Sequence, residues 1–258
     1  MSPHMPMPHR EASPDSMILS HDLCVFGLTE PQVRSRLEGL MDDTANPSLT
    51  LCEKTGEITL RLTAKADTAE DCEELMAPLF WDTRSRLGEY LYGVDVDSLE
   101  ARVAQLLKDR HLTFSAAESC TGGLIAKRIT DISGASAVFM GGVVSYTNSV
   151  KAQVLGVPQE LLDEYGAVSE PVAKAMAEGV RRLTRSDLAV SVTGVAGPDK
   201  DDRGNEVGTV FVGITDGHKT HVRKLDLGTG RDRVRTMAAH YAFDMLRRYI
   251  TDLPMEGE

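Results

Sequence analysis

The sequence lacks the residue patterns that mark several large classes of protein. Its four cysteines form no CxxC pair and have no histidine-rich surroundings, which argues against structural zinc and favours reduced thiols in a cytoplasmic protein. No apolar run is long enough to cross a bilayer, and no signal-peptide pattern is present. Lys and Arg number 28 against 39 Asp and Glu, a net charge of -11 that argues against nucleic acid or an anionic membrane as a partner.

The composition is sufficient for a folded core. Hydrophobic residues make up 41% of the 258 residues and charged residues 26%, an ordinary balance for a globular protein. This length suits one large domain or two modest ones. Residues 1–16, rich in Pro, Met, Ser and His, are predicted to be a disordered tail and are left out of the predicted fold.

Residues 17–94 predict a small α+β domain. Thr29 and Thr68 each precede a helical pattern of apolar residues and are expected to be N-caps. Pro78 lies inside the second helical pattern, so we expect a kink or a restart there. The predicted strands are 23–28, 49–51 and 58–62, with a hairpin turn at 54–56 between the last two.

Residues 95–258 predict a layered α/β/α domain, because helical and strand patterns alternate along them after a short polar linker at 94–97. Ser98 and Ser169 are expected to cap two of the helices. The segment 209–227 has the pattern of a hairpin, which makes the predicted sheet mixed. The predicted strands are 112–117, 137–146, 188–193, 209–214 and 221–227.

The most informative segment is 117–123, Ala-Glu-Ser-Cys-Thr-Gly-Gly, between a predicted buried strand and a predicted helix. Ser119 is then a small hydroxyl in a tight turn, beside the unpaired N–H groups of a helix start. This placement suits a nucleophile whose attack generates an oxyanion, with the N–H groups of residues 120–123 as donors. Taken alone, the same pattern is more typical of an ordinary helix cap.

Lys151 and Tyr146 are the candidate partners of Ser119, since no histidine accompanies it in the sequence. A lysine serves as a base only when it is neutral, which requires burial or a nearby cation to lower its pKa. Tyr146, at the end of a predicted strand, could orient the lysine or relay a proton. Taken singly, Lys151 is more typical of a surface charge and Tyr146 of a strand-packing residue. Cys120 is interpreted as a small buried residue and not as a thiol nucleophile.

Several ordered motifs in the second domain together resemble a known family. The motifs are 117–123; Tyr146-Thr147-Asn148 with Lys151; 166–171, Gly-Ala-Val-Ser-Glu-Pro; and 194–198, Gly-Val-Ala-Gly-Pro, followed by Gly208-Thr209-Val210. Over roughly residues 97–252 the chain resembles the C-terminal domain of the competence/damage-inducible CinA family. The resemblance implies a nicotinamide-nucleotide amidase of pyridine nucleotide recycling, which releases ammonia from nicotinamide mononucleotide and leaves nicotinate mononucleotide.

Residues 17–94 are similar to the KH-like middle domain of long CinA proteins. KH domains grip nucleic acid with a GxxG loop in a basic groove. This segment has no GxxG and carries 14 acidic against 7 basic residues, so we expect no nucleic-acid binding by it. Long CinA proteins also contain a molybdopterin-binding-like domain credited with metal-dependent pyrophosphatase activity. Nothing in this sequence matches that domain, and we expect no metal site and no cofactor.

The resemblance implies Ser119 as the nucleophile and Lys151 and Tyr146 as its catalytic partners, acting through a nicotinoyl ester. The substrate phosphate would need N–H donors or an arginine. Glu118 is assigned to the substrate or to a structural role, because an ionised Glu118 touching Lys151 would raise the pKa of the lysine. The family also suggests a homodimer. The candidate substrate-binding residues are Glu118, Cys120, Thr121, Gly122, Gly123, Asn148, Thr193, Gly194, Ala196, Gly197, Gly208, Thr209 and Arg231.

Two other functions remain as alternatives. The chain could be a catalytically silent binding or scaffold protein of competence or the damage response. It could also be a nicotinamide-cofactor reductase with a Tyr/Lys pair, but that chemistry places the lysine one helical turn after the tyrosine on a single helix. Here Tyr146 ends a predicted strand, and the GxGxxG of a dinucleotide-binding fold is missing.

Overall fold

The computed structural model describes residues 16–54 and 56–255 and divides the chain into two compact units between Asp95 and Val96. The predicted tail lies outside the described residues except for Ser16, and so does Thr55 of the predicted hairpin turn. In the described part of the chain, no helix combines the length and the apolar character needed to span a bilayer. Each unit has its own sheet and is described separately.

The first unit is a four-stranded antiparallel sheet in the order β2-β3-β1-β4, with two helices packed on it. Alternate residues of one strand, including Leu60 and Leu62, point into a core that Met76 of the second helix closes. The predicted α+β architecture is therefore confirmed. The elements are β1 (Met17–Val25), α1 (Glu30–Arg36), β2 (Ser48–Lys54), β3 (Glu57–Ala66), α2 (Ala69–Leu87) and β4 (Leu91–Val94).

Local signals set the helix boundaries of this unit. Thr29 precedes α1, and its N–H donates to the Gln32 side chain at 2.8 Å; the Thr68 hydroxyl accepts the N–H of Asp71 at 3.1 Å before α2. Of the kink or restart expected at Pro78, the restart is wrong, because α2 is one continuous helix. Proline removes a single backbone donor, and buried side chains on both sides of Pro78 keep the helix against the sheet. The short edge strand β4 was not predicted.

The second unit has three layers around a five-stranded mixed sheet in the order β6-β5-β7-β8-β9. The central β5 pairs parallel with β6 and β7, while β8 and β9 form the antiparallel hairpin that the sequence predicts. Helices α5, α6 and α7 cover one face, and α3, α4 and α8 cover the other. The elements are α3 (Leu99–Arg110), β5 (Phe114–Glu118), α4 (Leu124–Thr130), β6 (Phe139–Val144), α5 (Asn148–Leu155), α6 (Gln159–Tyr165), α7 (Glu170–Thr184), β7 (Leu188–Gly194), β8 (Thr209–Thr215), β9 (Thr220–Asp226) and α8 (Arg231–Ile250).

The topology places three loop starts at one edge of this sheet. The strands β5, β6 and β7 run parallel, so their carboxyl ends meet, and Ser119, Ser145 and Gly194 stand at or just after those ends. Open α/β sheets bind ligands at this edge. The predicted strand 137–146 is shorter at both ends, which moves Tyr146 out of β6 and into the loop before α5.

Candidate active site

A pocket of about 250 Å³ opens at the carboxyl ends of β5, β6 and β7. It joins residues from distant parts of the sequence, including the predicted Ser119, Lys151 and Tyr146. Within the described residues, no cluster of His, Cys, Asp and Glu side chains is suited to a metal ion. The lining residues are Ser119, Cys120, Tyr146, Lys151, Ala167, Val168, Thr193, Gly194, Ala196 and Arg231.

Ser119 and Lys151 form a buried pair at the floor of the pocket. The Lys151 Nζ lies 3.1 Å from the Ser119 Oγ and donates to the main-chain oxygen of Ser145 at 2.7 Å. Ser119 is 8% exposed and Lys151 1% exposed. Helix α5 sets this geometry, because the Thr147 hydroxyl accepts the N–H of Val150 at its start and Lys151 then lies on its buried face.

Burial shifts Lys151 toward the neutral amine, which becomes the major form above a pH of about 8. Burial lowers the pKa of Lys151 to about 8, and only the nearby Cys120 opposes that change. No carboxylate in the described residues hydrogen-bonds to the Lys151 ammonium. Burial also raises the pKa of the Cys120 thiol to about 12, so this neighbour is uncharged at neutral pH and is a poor nucleophile.

Glu118 has a structural role that the sequence did not distinguish from substrate binding. Its carboxylate is 1% exposed and accepts the N–H groups of Gly123, Ile125 and Ala126 at 2.9–3.1 Å. These are the orphan donors of the first turn of α4. The expectation that a free helix start lies beside Ser119 is therefore wrong, and we reassign Glu118 from the substrate to the capping of α4.

The nucleophile turn, residues 119–123, keeps two N–H groups without an oxygen acceptor in the described part of the chain. They belong to Cys120 and Thr121. Gly122 donates to the main-chain oxygen of Ser119 at 3.1 Å, and Gly123 donates to Glu118. Both glycines have positive φ, 60° and 95°, which explains why glycine occupies these positions. Of the four predicted oxyanion donors, these two remain as candidates; Cys120 lines the pocket, and Thr121 is buried directly behind it in sequence.

Tyr146 and Arg231 meet at the mouth of the pocket. Arg231, the first residue of α8, donates to the Tyr146 hydroxyl at 3.4 Å and to the main-chain oxygen of Gly197 at 2.7 Å. Tyr146 is 60% exposed and has no hydrogen bond to Lys151 or Ser119. The main-chain oxygen of Ser145 orients the lysine in its place. Arg231 pairs with no carboxylate among the described residues.

The remaining predicted residues divide into two groups. Thr193, Gly194 and Ala196 line the pocket, whereas Asn148, Gly197, Gly208 and Thr209 do not. Gly208 is required for packing, because a Cβ there would lie 2.2 Å from the main-chain oxygen of Gly228. We therefore do not place these last four residues in substrate contact.

Sequence reasoning missed four residues of the site. Ala167 and Val168 form a wall; their motif was recognised, but the residues were not assigned to the pocket. Ser145 holds the lysine through its backbone, which no side-chain pattern reveals. Arg235 donates to the main-chain oxygens of Cys120 and Thr121. Its position one helical turn after Arg231 is the signal that could have identified it.

Comparison with known proteins finds relatives over almost the whole chain. The CinA-like protein of Kosmotoga olearia is 41% identical over 247 residues, 96% of this chain and 60% of the relative. The CinA-like protein of Desulfovibrio desulfuricans is 41% identical over 254 residues, 97% of this chain and 60% of the relative. The chain therefore spans about three fifths of the length of these relatives.

Solved structures match a part of this chain that is about as long as the second unit. The competence-damaged protein (CinA) superfamily protein of Klebsiella pneumoniae is 29% identical with a TM-score of 0.59, covering 60% of this chain and 96% of that one. The competence/damage inducible protein CihA of Agrobacterium tumefaciens is 37% identical with a TM-score of 0.57, covering 59% and 93%. The family model for the CinA C-terminal domain matches residues 96–250, and the model for the damage-inducible protein CinA KH domain matches residues 20–93. The chain belongs to the CinA family.

Proposed function

We propose that this protein is a nicotinamide-nucleotide amidase, which hydrolyses the carboxamide of nicotinamide mononucleotide to nicotinate mononucleotide and ammonia. The observation that carries the proposal is the 3.1 Å contact between the Ser119 Oγ and a lysine whose burial lowers its pKa to about 8. A neutral amine at this distance accepts the proton that the hydroxyl loses on attack. The pocket at the carboxyl ends of the strands supplies the space for a small substrate.

The reaction divides into two steps at the same pair. The Ser119 Oγ attacks the carboxamide carbon while its proton passes to the Lys151 Nζ, whose other hydrogen bond goes to the Ser145 main-chain oxygen. The Cys120 and Thr121 N–H groups stabilise the oxyanion. Lys151 returns the proton to the departing nitrogen, which leaves as ammonia. Water then attacks the nicotinoyl ester; Lys151 accepts its proton and passes it to the departing Ser119 Oγ, which releases nicotinate mononucleotide and restores the serine.

The charges at the mouth of the pocket fit a cationic ring that carries a phosphate. The positive charge of the pyridinium ring makes the attached carboxamide carbon more electrophilic, which assists a serine nucleophile. Arg231 has no carboxylate partner in the described residues and can bind the phosphate. We assign Tyr146 to substrate contact, because its hydroxyl bonds to Arg231 and not to the lysine.

The test is ammonia release from nicotinamide mononucleotide by the wild type, Ser119→Ala and Ser133→Ala. We expect turnover by the wild type and a loss of at least about a thousandfold in kcat for Ser119→Ala. Ser133 is exposed and distant in sequence from the pocket residues, so its variant should match the wild type. Equal rates for wild type and Ser119→Ala would remove Ser119 from the mechanism. A wild type without turnover would overturn the proposal in favour of a silent scaffold or of an enzyme that acts on another amide.

A further inference from the structure

Arg235 contacts the nucleophile turn from outside the pocket. Its Nε donates to the main-chain oxygen of Cys120 at 3.2 Å, and its Nη2 donates to that of Thr121 at 2.9 Å. The side chain is half-buried and forms no ion pair with a carboxylate in the described residues. The planar guanidinium group of Arg235 thus binds the main-chain oxygens of the two residues that follow Ser119.

Because the peptide group is planar, the contact of Arg235 with the Cys120 oxygen also orients the N–H of Thr121. In a trans peptide the C=O and N–H groups point in opposite directions. The Cys120–Thr121 peptide is trans, so fixing the Cys120 oxygen on Arg235 fixes the Thr121 N–H on the opposite side. The preceding peptide is fixed in the same way, because the Ser119 oxygen accepts the Gly122 N–H.

The turn offers few other donors for an oxyanion. The N–H groups of Gly122 and Gly123 are bonded to Ser119 and Glu118. In the first turn of α4, the N–H of Leu124 is bonded to the main-chain oxygen of Thr121, and those of Ile125 and Ala126 are bonded to Glu118. Only the Cys120 and Thr121 N–H groups of residues 120–123 lack an oxygen acceptor. One of these two depends on Arg235 for its orientation.

We propose that Arg235 is a positioning residue for the hydrolytic step: by holding the Cys120 and Thr121 main-chain oxygens, it keeps the Thr121 N–H directed at the oxyanion formed on Ser119 attack. This inference rests on the proposed amidase function. Arg235 donates to the main-chain oxygens of the turn and acts on the reaction through the turn. Its loss therefore lowers kcat and leaves the binding of nicotinamide mononucleotide unchanged.

The kinetic test compares Arg235→Met with Arg233→Met, an exposed arginine on the same helix. Removing one oxyanion donor costs about 10²–10³ in rate, so a misdirected donor in Arg235→Met should lower kcat by at least about tenfold with KM nearly constant. Arg233→Met should match the wild type. The pH midpoint of the rate should also stay in place, because Arg235 is not among the groups that shift the pKa of Lys151.

Partial recovery distinguishes positioning from simple destabilisation. Arg235→Lys keeps one donor for one of the two oxygens, so its kcat should lie between those of Arg235→Met and the wild type. Guanidinium ion, added at a concentration that leaves the melting temperature unchanged, should raise kcat of Arg235→Met and not that of Arg233→Met. A kcat for Arg235→Met equal to the wild-type value, or a loss confined to KM, would overturn the inference.

A second readout separates this inference from the identity of the substrate. A fluorophosphonate probe reacts with Ser119 through an anionic transition state, whatever amide the enzyme cleaves. We expect slower labelling of folded Arg235→Met and Arg235→Lys than of the wild type. Slow labelling together with no wild-type turnover of nicotinamide mononucleotide would refute the substrate and support the role of Arg235. Equal labelling rates would refute that role, and an unlabelled wild type would refute both.

Discussion

At the scale of single residues, the site depends on a buried lysine that has no counter-ion among the described residues. A carboxylate partner would stabilise the ammonium and raise the pKa of the lysine, which would leave less of the neutral amine to accept a proton. Here Glu118, the nearest carboxylate in sequence to Ser119, has its oxygens on three N–H groups of α4. The cap of a helix therefore also keeps a negative charge from pairing with Lys151.

The pH dependence of the rate follows from this arrangement. The active form of Lys151 is the neutral amine, so activity should rise with pH through a midpoint of about 8 and level off above it. Below the midpoint, the rate should fall about tenfold for each pH unit. Lys151→Arg, whose guanidinium stays protonated, should be inactive across the whole range. Profiles of kcat/KM for both proteins provide the measurement, and a flat wild-type profile would contradict a lysine base.

The sequence predicts the pair of Ser119 and Lys151 but not the residues that support it. The two were predicted from a turn motif together with the resemblance to the CinA family, and the structure brings their side chains together. The roles of Glu118 and Tyr146 depend on which atoms their side chains reach. That is set by the end of β6 and the start of α4, where boundaries are least predictable from sequence.

At the scale of secondary-structure elements, the position of Lys151 depends on the packing of α5 against α7. Gly179 of α7 faces the end of α5, and a Cβ there would lie 2.1 Å from the main-chain oxygen of Leu155. Backbone cannot yield as a flexible side chain can, so any side chain at 179 must push α5 outward. Lys151 lies one turn before Leu155 on the same helix.

Gly179→Ala should therefore affect both stability and catalysis. Overpacking of this kind costs about 1–3 kcal/mol in the free energy of unfolding. A displacement of about 1 Å in a catalytic group can lower the rate about a hundredfold. Urea titration and steady-state kinetics measure the two effects, with Lys174→Ala, exposed on the same helix, as the control. A Gly179→Ala variant as stable and as active as Lys174→Ala would show that the packing of α5 against α7 does not determine the position of Lys151.

Most elements could be predicted because their signals are local. Thr29, Thr68 and Ser98 mark helix starts, and the alternation in 209–227 marks a hairpin. The short helix α6 and the edge strand β4 have too few residues for a clear period, so they were missed. The continuity of α2 through Pro78 depends on tertiary burial, which overrides the local preference.

At the scale of the whole molecule, the pocket belongs entirely to the second unit. Its lining residues run from Ser119 to Arg231, all after the division at Asp95 and Val96. The solved relatives from Klebsiella pneumoniae and Agrobacterium tumefaciens are covered over 96% and 93% of their length by about three fifths of this chain. Chains of about the size of this unit therefore exist as folded proteins.

A fragment of residues 96–258 should retain the proposed amidase activity. The fragment keeps every lining residue and the five-stranded sheet, so its kcat/KM for nicotinamide mononucleotide should equal that of the full chain within error. Ser119→Ala in the fragment is the matched negative control. A folded fragment with strongly reduced kcat/KM would indicate that the KH domain contributes to the reaction.

The hydrogen bonds at the carboxyl end of the sheet also determine how far apart Ser119 and Lys151 lie. The Ser145 N–H donates to the main-chain oxygen of Glu118 at 2.7 Å, which ties the residue before the nucleophile to the residue whose oxygen holds the lysine amine. The distance between the Ser119 Oγ and the Lys151 Nζ therefore depends on the register of β5 with β6. A shift of one residue in the register of β5 and β6 would separate Ser119 from Lys151, although neither side chain had been changed.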